Sequence, residues 1–91
     1  MEKNLKTMPY AQATVIINDE NNISLRSYET IVATLINNEW LHINGLYSMT
    51  TRKHIKAFCK EYCGFDDFSL IKAIVENKMY NILTGEVIPL A

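Results

Sequence analysis

Cysteine, glycine and proline are scarce in this chain: two, three and two among 91 residues. Two cysteines make no disulfide framework of the kind that staples small secreted domains. Gly45, Gly64 and Gly85 lie too far apart to build a phosphate-cradling loop. No apolar run approaches the ~18 residues of a membrane helix. Residues 1–10 lack the apolar stretch of a signal peptide, so a cytoplasmic location in a bacterial cell is expected. Neither sign of charge dominates: nine basic and ten acidic residues leave a net charge of −1. That excludes a strongly acidic DNA mimic and argues against a basic nucleic-acid coat. Enzyme signatures are missing too, with no nucleophile elbow and no His-Glu-x-x-His.

What is present is an ordinary globular composition, 48% hydrophobic. A chain of this size buries roughly 60–65% of its unfolded surface, enough for one thin core. Ile, Asn and Lys number 11, 9 and 7, a bias that points to a low-GC genome.

Residues 1–10 are polar and read as a flexible N-terminus ahead of a single α+β domain over 11–91. Ala13, Val15 and Ile17 alternate, and Ile23 and Leu25 resume the alternation after Asn18-Asp19-Glu20-Asn21-Asn22, which predicts a hairpin across 11–28. Residues 28–36 are β-branched enough for a central strand. Asn37-Asn38 favours a tight turn, because Asn tolerates positive φ. Residues 39–43 form the return strand. Asn44-Gly45 reads as a further hairpin turn, with a short strand starting over 46–48.

The period then changes. Ile55, Phe58, Cys59, Tyr62 and Cys63 fall at helical spacing, so an amphipathic helix runs from about Thr50 to Gly64. Thr50 or Thr51 can cap it, and Gly64 can end it. Asp66 or Asp67 caps a second helix whose stripe is Phe68, Ile71, Ile74 and Val75. Residues 79–82 and 87–88 are extended around a Thr84-Gly85-Glu86 turn. The expected fold is α+β: a mostly antiparallel sheet of four to six strands, covered on one face by two helices.

Cys59 and Cys63 share the apolar stripe of the first helix. Two buried, reduced thiols are the plain reading. A zinc site would need His42 or His54 to join them, and the spacing matches no zinc pattern. Cys59 or Cys63 could be paired with His54 as nucleophile and base, but an apolar setting raises a thiol pKa. No catalytic residue, metal or cofactor is therefore expected.

Charge is uneven along the chain. Residues 49–64 carry +3, and Arg52, Lys56 and Lys60 form an i, i+4, i+8 stripe with Lys53 beside it. Arg52 and Lys53 occupy the first turn of this helix, where acidic residues are preferred. The free N–H groups of the helix start, Thr50, Thr51, Arg52 and Lys53, with His54 as a further member, then make a candidate phosphate or carboxylate contact, the alternative being a solvated polar face with the threonines only capping. Trp40 and His42 share a strand face. They are a second candidate binding surface, or else a Trp under a helix beside a partly buried His.

One stretch resembles a known pattern. Ser27-Tyr28-Glu29-Thr30-Ile31-Val32-Ala33, then Asn44-Gly45-Leu46-Tyr47-Ser48-Met49-Thr50-Thr51-Arg52-Lys53-His54-Ile55 and Phe58, is similar to a small uncharacterised domain. That domain recurs in proteins of phages and mobile elements of low-GC bacteria. The resemblance covers residues 27–58 and implies a phage setting, with no catalytic residues to carry over. The physical reading of the same residues is a strand-to-helix corner.

Three functions follow. The first is a phage-encoded inhibitor that binds a host defence protein or ribonucleoprotein complex directly, as anti-CRISPR proteins do. The second is a nucleic-acid-binding accessory protein using the basic helix 50–63. The third is a phage structural or assembly module, which would form a homodimer or larger assembly. None needs a membrane.

Overall fold

A computed structural model describes residues 1–45 and 48–90. Among these, one seven-stranded sheet runs in sequence order: β1 (Glu2–Asn4), β2 (Ala13–Ile17), β3 (Ile23–Ser27), β4 (Thr30–Ile36), β5 (Trp40–Ile43), β6 (Lys78–Asn81) and β7 (Val87–Pro89). Every pair of neighbours is antiparallel. The helices α1 (Met49–Phe58) and α2 (Phe68–Ile74) are inserted between β5 and β6. The fold is α+β, with seven strands in the sheet rather than four to six.

The turns follow their residues. In the β2–β3 loop the Asp19 carboxylate accepts the N–H groups of Asn21 and Asn22 at 2.8 and 3.0 Å. The Asn22 side-chain amide also donates to it, and these bonds hold the Asp19 carboxyl below its usual range. Asn37 and Asn38 both take positive φ, 55° and 54°, and close the β4–β5 hairpin as expected. The β3–β4 turn is different. The strand starts at Thr30, not at residue 28, because Tyr28 itself turns the chain with φ 55°. No glycine, asparagine or proline marks that turn in the sequence. The register also shifts: Leu25 pairs with Ala33 and Arg26 with Ile31, leaving Val32 without a partner as a bulge.

The N-terminus is not a loose arm. Glu2–Asn4 pairs with β2, and Leu5 is fully buried. Met1, Leu5 and Met8 show no alternation, so the strand pattern hid it. Burying a leucine is worth roughly 1.5–3 kcal/mol, enough to dock so short a strand. The sheet thus begins at residue 2, ahead of the boundary expected at residue 11.

The Asn44-Gly45 hairpin is also corrected. The side-chain amide of Asn44 donates to the Ile31 carbonyl at 2.7 Å, and β5 pairs with β6 instead. Leu46 and Tyr47, most of the strand expected over 46–48, lie outside the described residues. Ser48 is the N-cap of α1; its hydroxyl accepts from the Thr51 N–H at 3.2 Å. The cap is therefore Ser48 and not Thr50 or Thr51. Helix α1 continues into a π-helical turn, Cys59–Cys63, which ends at Gly64 with φ 81°. A left-handed C-terminal residue suits glycine, as the sequence anticipated. Asp67 caps α2, accepting from the Ser69 N–H at 2.9 Å.

Both helices cover one face of the sheet, α1 against β3 and β4, α2 against β5 and β6. Val15, Leu25, Ala33, Leu35, Leu41 and Ile43 meet Ile55, Phe58, Ile71 and Ile74 in the core. Tyr62, Phe68 and Val75 are only half-buried at its edge. The π turn places Glu61 against the N-terminal segment. Its carboxylate accepts the N–H groups of Lys6 and Thr7 at 2.7 and 3.1 Å, and the Thr7 hydroxyl at 2.9 Å.

Candidate functional site

Helix α1 sorts its residues by direction. Ile55 and Phe58 point into the core. Thr51 and His54 are buried beside them and meet β3: the Ser27 hydroxyl lies 3.0 Å from the Thr51 hydroxyl and 2.8 Å from His54 Nδ1. The Tyr28 ring packs 5.9 Å from the imidazole. Burial pushes the His54 pKa down, so the ring is neutral at pH 7. Ser27, Tyr28, Thr51 and His54 all belong to the segment of the phage-type resemblance, and they form its strand-to-helix corner.

This corner removes Thr51 and His54 from the anion contact that the sequence suggested. Thr51 is 4% exposed and spends its hydroxyl inside, so it is not on a contact surface. His54 Nδ1 is engaged by Ser27, while the hydrogen bond that the Cys59 thiol donates to Cys63, together with burial, drives its pKa far above the ordinary value. A thiol held protonated is a poor nucleophile. Ser27 and His54 stand at a nucleophile–base distance, but they are 2% and 1% exposed and closed to solvent. Among the described residues no three His, Cys, Asp or Glu side chains come together to hold a metal ion. No helix among them is long and apolar enough to cross a membrane.

The outer face of α1 carries Thr50, Lys53 and Lys56, with Lys60 following in the π turn, all exposed. Arg52 departs from the expected stripe. It is half-buried, and its guanidinium carbon lies 5.9 Å from the centre of the Phe68 ring. The helix starts at Met49, so Arg52 and Lys53 follow the first three residues, Met49, Thr50 and Thr51. The dipole effect is largest in the first turn, so their presumed misplacement largely disappears.

Two shallow grooves flank the lysines. One, of about 290 Å³, is lined by Met49, Arg52, Lys53, Lys56 and Phe68. The other, of about 240 Å³, shares Lys53 and Lys56 and adds Thr7, Met8, Ala57, Lys60 and Asp66. The one ion pair among the described residues is Arg26–Glu2, at 3.0 Å. Lys53, Lys56 and Lys60 have no acidic partner there. Met49 and Phe68 were missed as surface residues. Nothing in the periodicity marks Met49, and Phe68 reads as core because it shares the spacing of Ile71.

Trp40 and His42 lie elsewhere. They alternate with buried Leu41 and Ile43, so they occupy the sheet face away from the helices, half-buried among Thr34 and Ile36. The two candidate surfaces are therefore on opposite sides of the sheet.

A model described as a family of unknown function, DUF8033, matches residues 2–76. The chain belongs to this family. The DUF8033 match runs from β1 through the end of α2, and so contains the strand-to-helix corner, the lysine face and both groove walls. It leaves β6 and β7 outside. It also reaches well beyond the 27–58 segment of the phage-type resemblance. No curated protein and no solved structure matches the chain.

Proposed function

We propose that this DUF8033 chain is a small binding protein that lays the lysine face of α1 on an acidic patch of another macromolecule. The carrying observation is that Lys53, Lys56 and Lys60 stand exposed along one face, without acidic partners among the described residues, between two grooves. A self-contained domain would gain from balancing such a row with Glu or Asp. A partner's negative charge supplies the balance instead. In this reading the chain makes and breaks no covalent bond.

The phage-type resemblance suggests the setting. The partner is then a host defence enzyme or its ribonucleoprotein complex in the bacterial cytoplasm, blocked by contact in the manner of anti-CRISPR proteins. The lysine row alone would also suit nucleic acid. The net charge of −1 and Asp66 beside the row weigh toward a protein surface.

The test is capture from a lysate of the bacterium that carries the gene, with and without nuclease, using tagged parent and a Lys53→Gln, Lys56→Gln, Lys60→Gln variant. A protein partner persists after nuclease and is lost with the variant. A nucleic-acid partner disappears with nuclease. Three phosphate contacts would also give a log–log salt slope near ~−3, from about −0.9 per phosphate. A stable homo-oligomer that captures nothing would favour the assembly module.

A further inference from the structure

The groove between α1 and α2 is not merely charged. Met49 is 72% exposed at its mouth, and half-buried Phe68 lies along it. The Arg52 guanidinium carbon sits 5.9 Å over the centre of the Phe68 ring, and its buried Nε has no hydrogen-bond partner among the described residues. Lys53 and Lys56 complete the lining. An apolar strip edged by three cations matches one kind of ligand: an apolar or aromatic side chain with carboxylates on either side of it. The side chain would cover Met49 and Phe68, and the guanidinium beside it offers a cation to an aromatic face. At about 290 Å³ the groove is at the small end of ligand pockets, suited to one side chain rather than a whole cofactor.

We infer that this groove is a socket for an aromatic or apolar anchor residue within an acidic peptide segment of the protein partner. The inference rests on the proposed docking of α1 and adds the identity of what docks. A continuous phosphate backbone fits less well, because Asp66 lies in the adjoining groove and would repel it, whereas a peptide spaces its carboxylates.

The test uses immobilised poly-Glu, a Glu-rich random Glu–Tyr copolymer of matched length, and oligo-dT, with binding read by biosensor at low salt. The expected result is that the copolymer binds about tenfold or more tighter than poly-Glu, as burial of one aromatic side chain would give. Met49→Ser should remove most of that advantage. Lys53→Gln with Lys56→Gln should weaken both polymers. Equal affinity of the parent for both polymers, or an advantage that survives in Met49→Ser, would overturn the socket while leaving the charged docking intact. Binding to neither polymer, or tighter binding to oligo-dT than to the copolymer, would overturn the docking itself and the socket with it.

Discussion

His54 Nδ1 lies 2.8 Å from the Ser27 hydroxyl, and both residues are sealed under the joint between β3 and α1. The bond ties the sheet to the helix that carries the lysine face. Because burial lowers the folded-state pKa of His54, the unfolded chain binds the proton more readily. Stability is therefore full above the unfolded histidine value, about 6.5, and declines as pH falls below it. Urea midpoints should drop between about pH 6.5 and 5, above the range where carboxylates titrate. A His54→Asn variant should be less stable and should lose the slope. A parent midpoint that stays flat across that window would remove the buried, neutral imidazole from the account.

Ser27→Ala should cost about 1–3 kcal/mol, because it strips His54 and Thr51 of a shared hydrogen-bond partner. Phe58→Ala should cost more, about 3–5 kcal/mol, since its ring is fully buried between the helix and the sheet. That is close to the whole stability of a domain this size, so the variant should be largely unfolded by circular dichroism. A cooperative transition near the parent's would contradict the packing described.

The Glu61 carboxylate is the clasp for the N-terminal strand. Partial burial would raise its pKa, but the N–H groups of Lys6 and Thr7 and the Thr7 hydroxyl outweigh that and hold it below the ordinary value. Its contribution is present above about pH 4.3 and is lost as pH falls through the lowered folded value. Glu61→Ala should cost only about 1 kcal/mol, because the bonds are near solvent. Hydrogen exchange should show the larger effect, with faster exchange at Lys6 and Thr7 and little change in β3 or β4. Unchanged exchange at those two amides would refute the clasp.

Cys59 and Cys63 are buried, reduced thiols. Native protein should react slowly with a thiol reagent, and two thiols should titrate once it is unfolded. Rapid modification of Cys59 in the folded state would contradict a thiol held far above its usual pKa.

The sequence carried the layer order well, because β2, β3 and α1 place their buried apolar residues at period two or period 3.6. It misled where tertiary contact decides. Leu5 looks like part of a polar tail until β2 offers an edge. Tyr28 takes a turn conformation that side chains of its size rarely adopt, and no composition rule finds it. The binding surface was half legible. Lys53, Lys56 and Lys60 follow from spacing alone. Arg52 shares that spacing but lies on Phe68, and the Met49–Phe68 groove depends on how α2 returns beside α1, which a local pattern does not encode. Thr51 read as a surface hydroxyl because its partner, Ser27, is 24 residues away.

The docking claim is tested most directly by quantifying partner recovery from nuclease-treated lysate at low salt, with equal amounts of folded parent and the Lys53→Gln, Lys56→Gln, Lys60→Gln variant as bait. Each truncated contact should cost about 1 kcal/mol, roughly fivefold in affinity, so the variant should lose nearly all of the partner. Recovery equal to the parent's would contradict the account and turn attention to the Trp40–His42 face of the sheet.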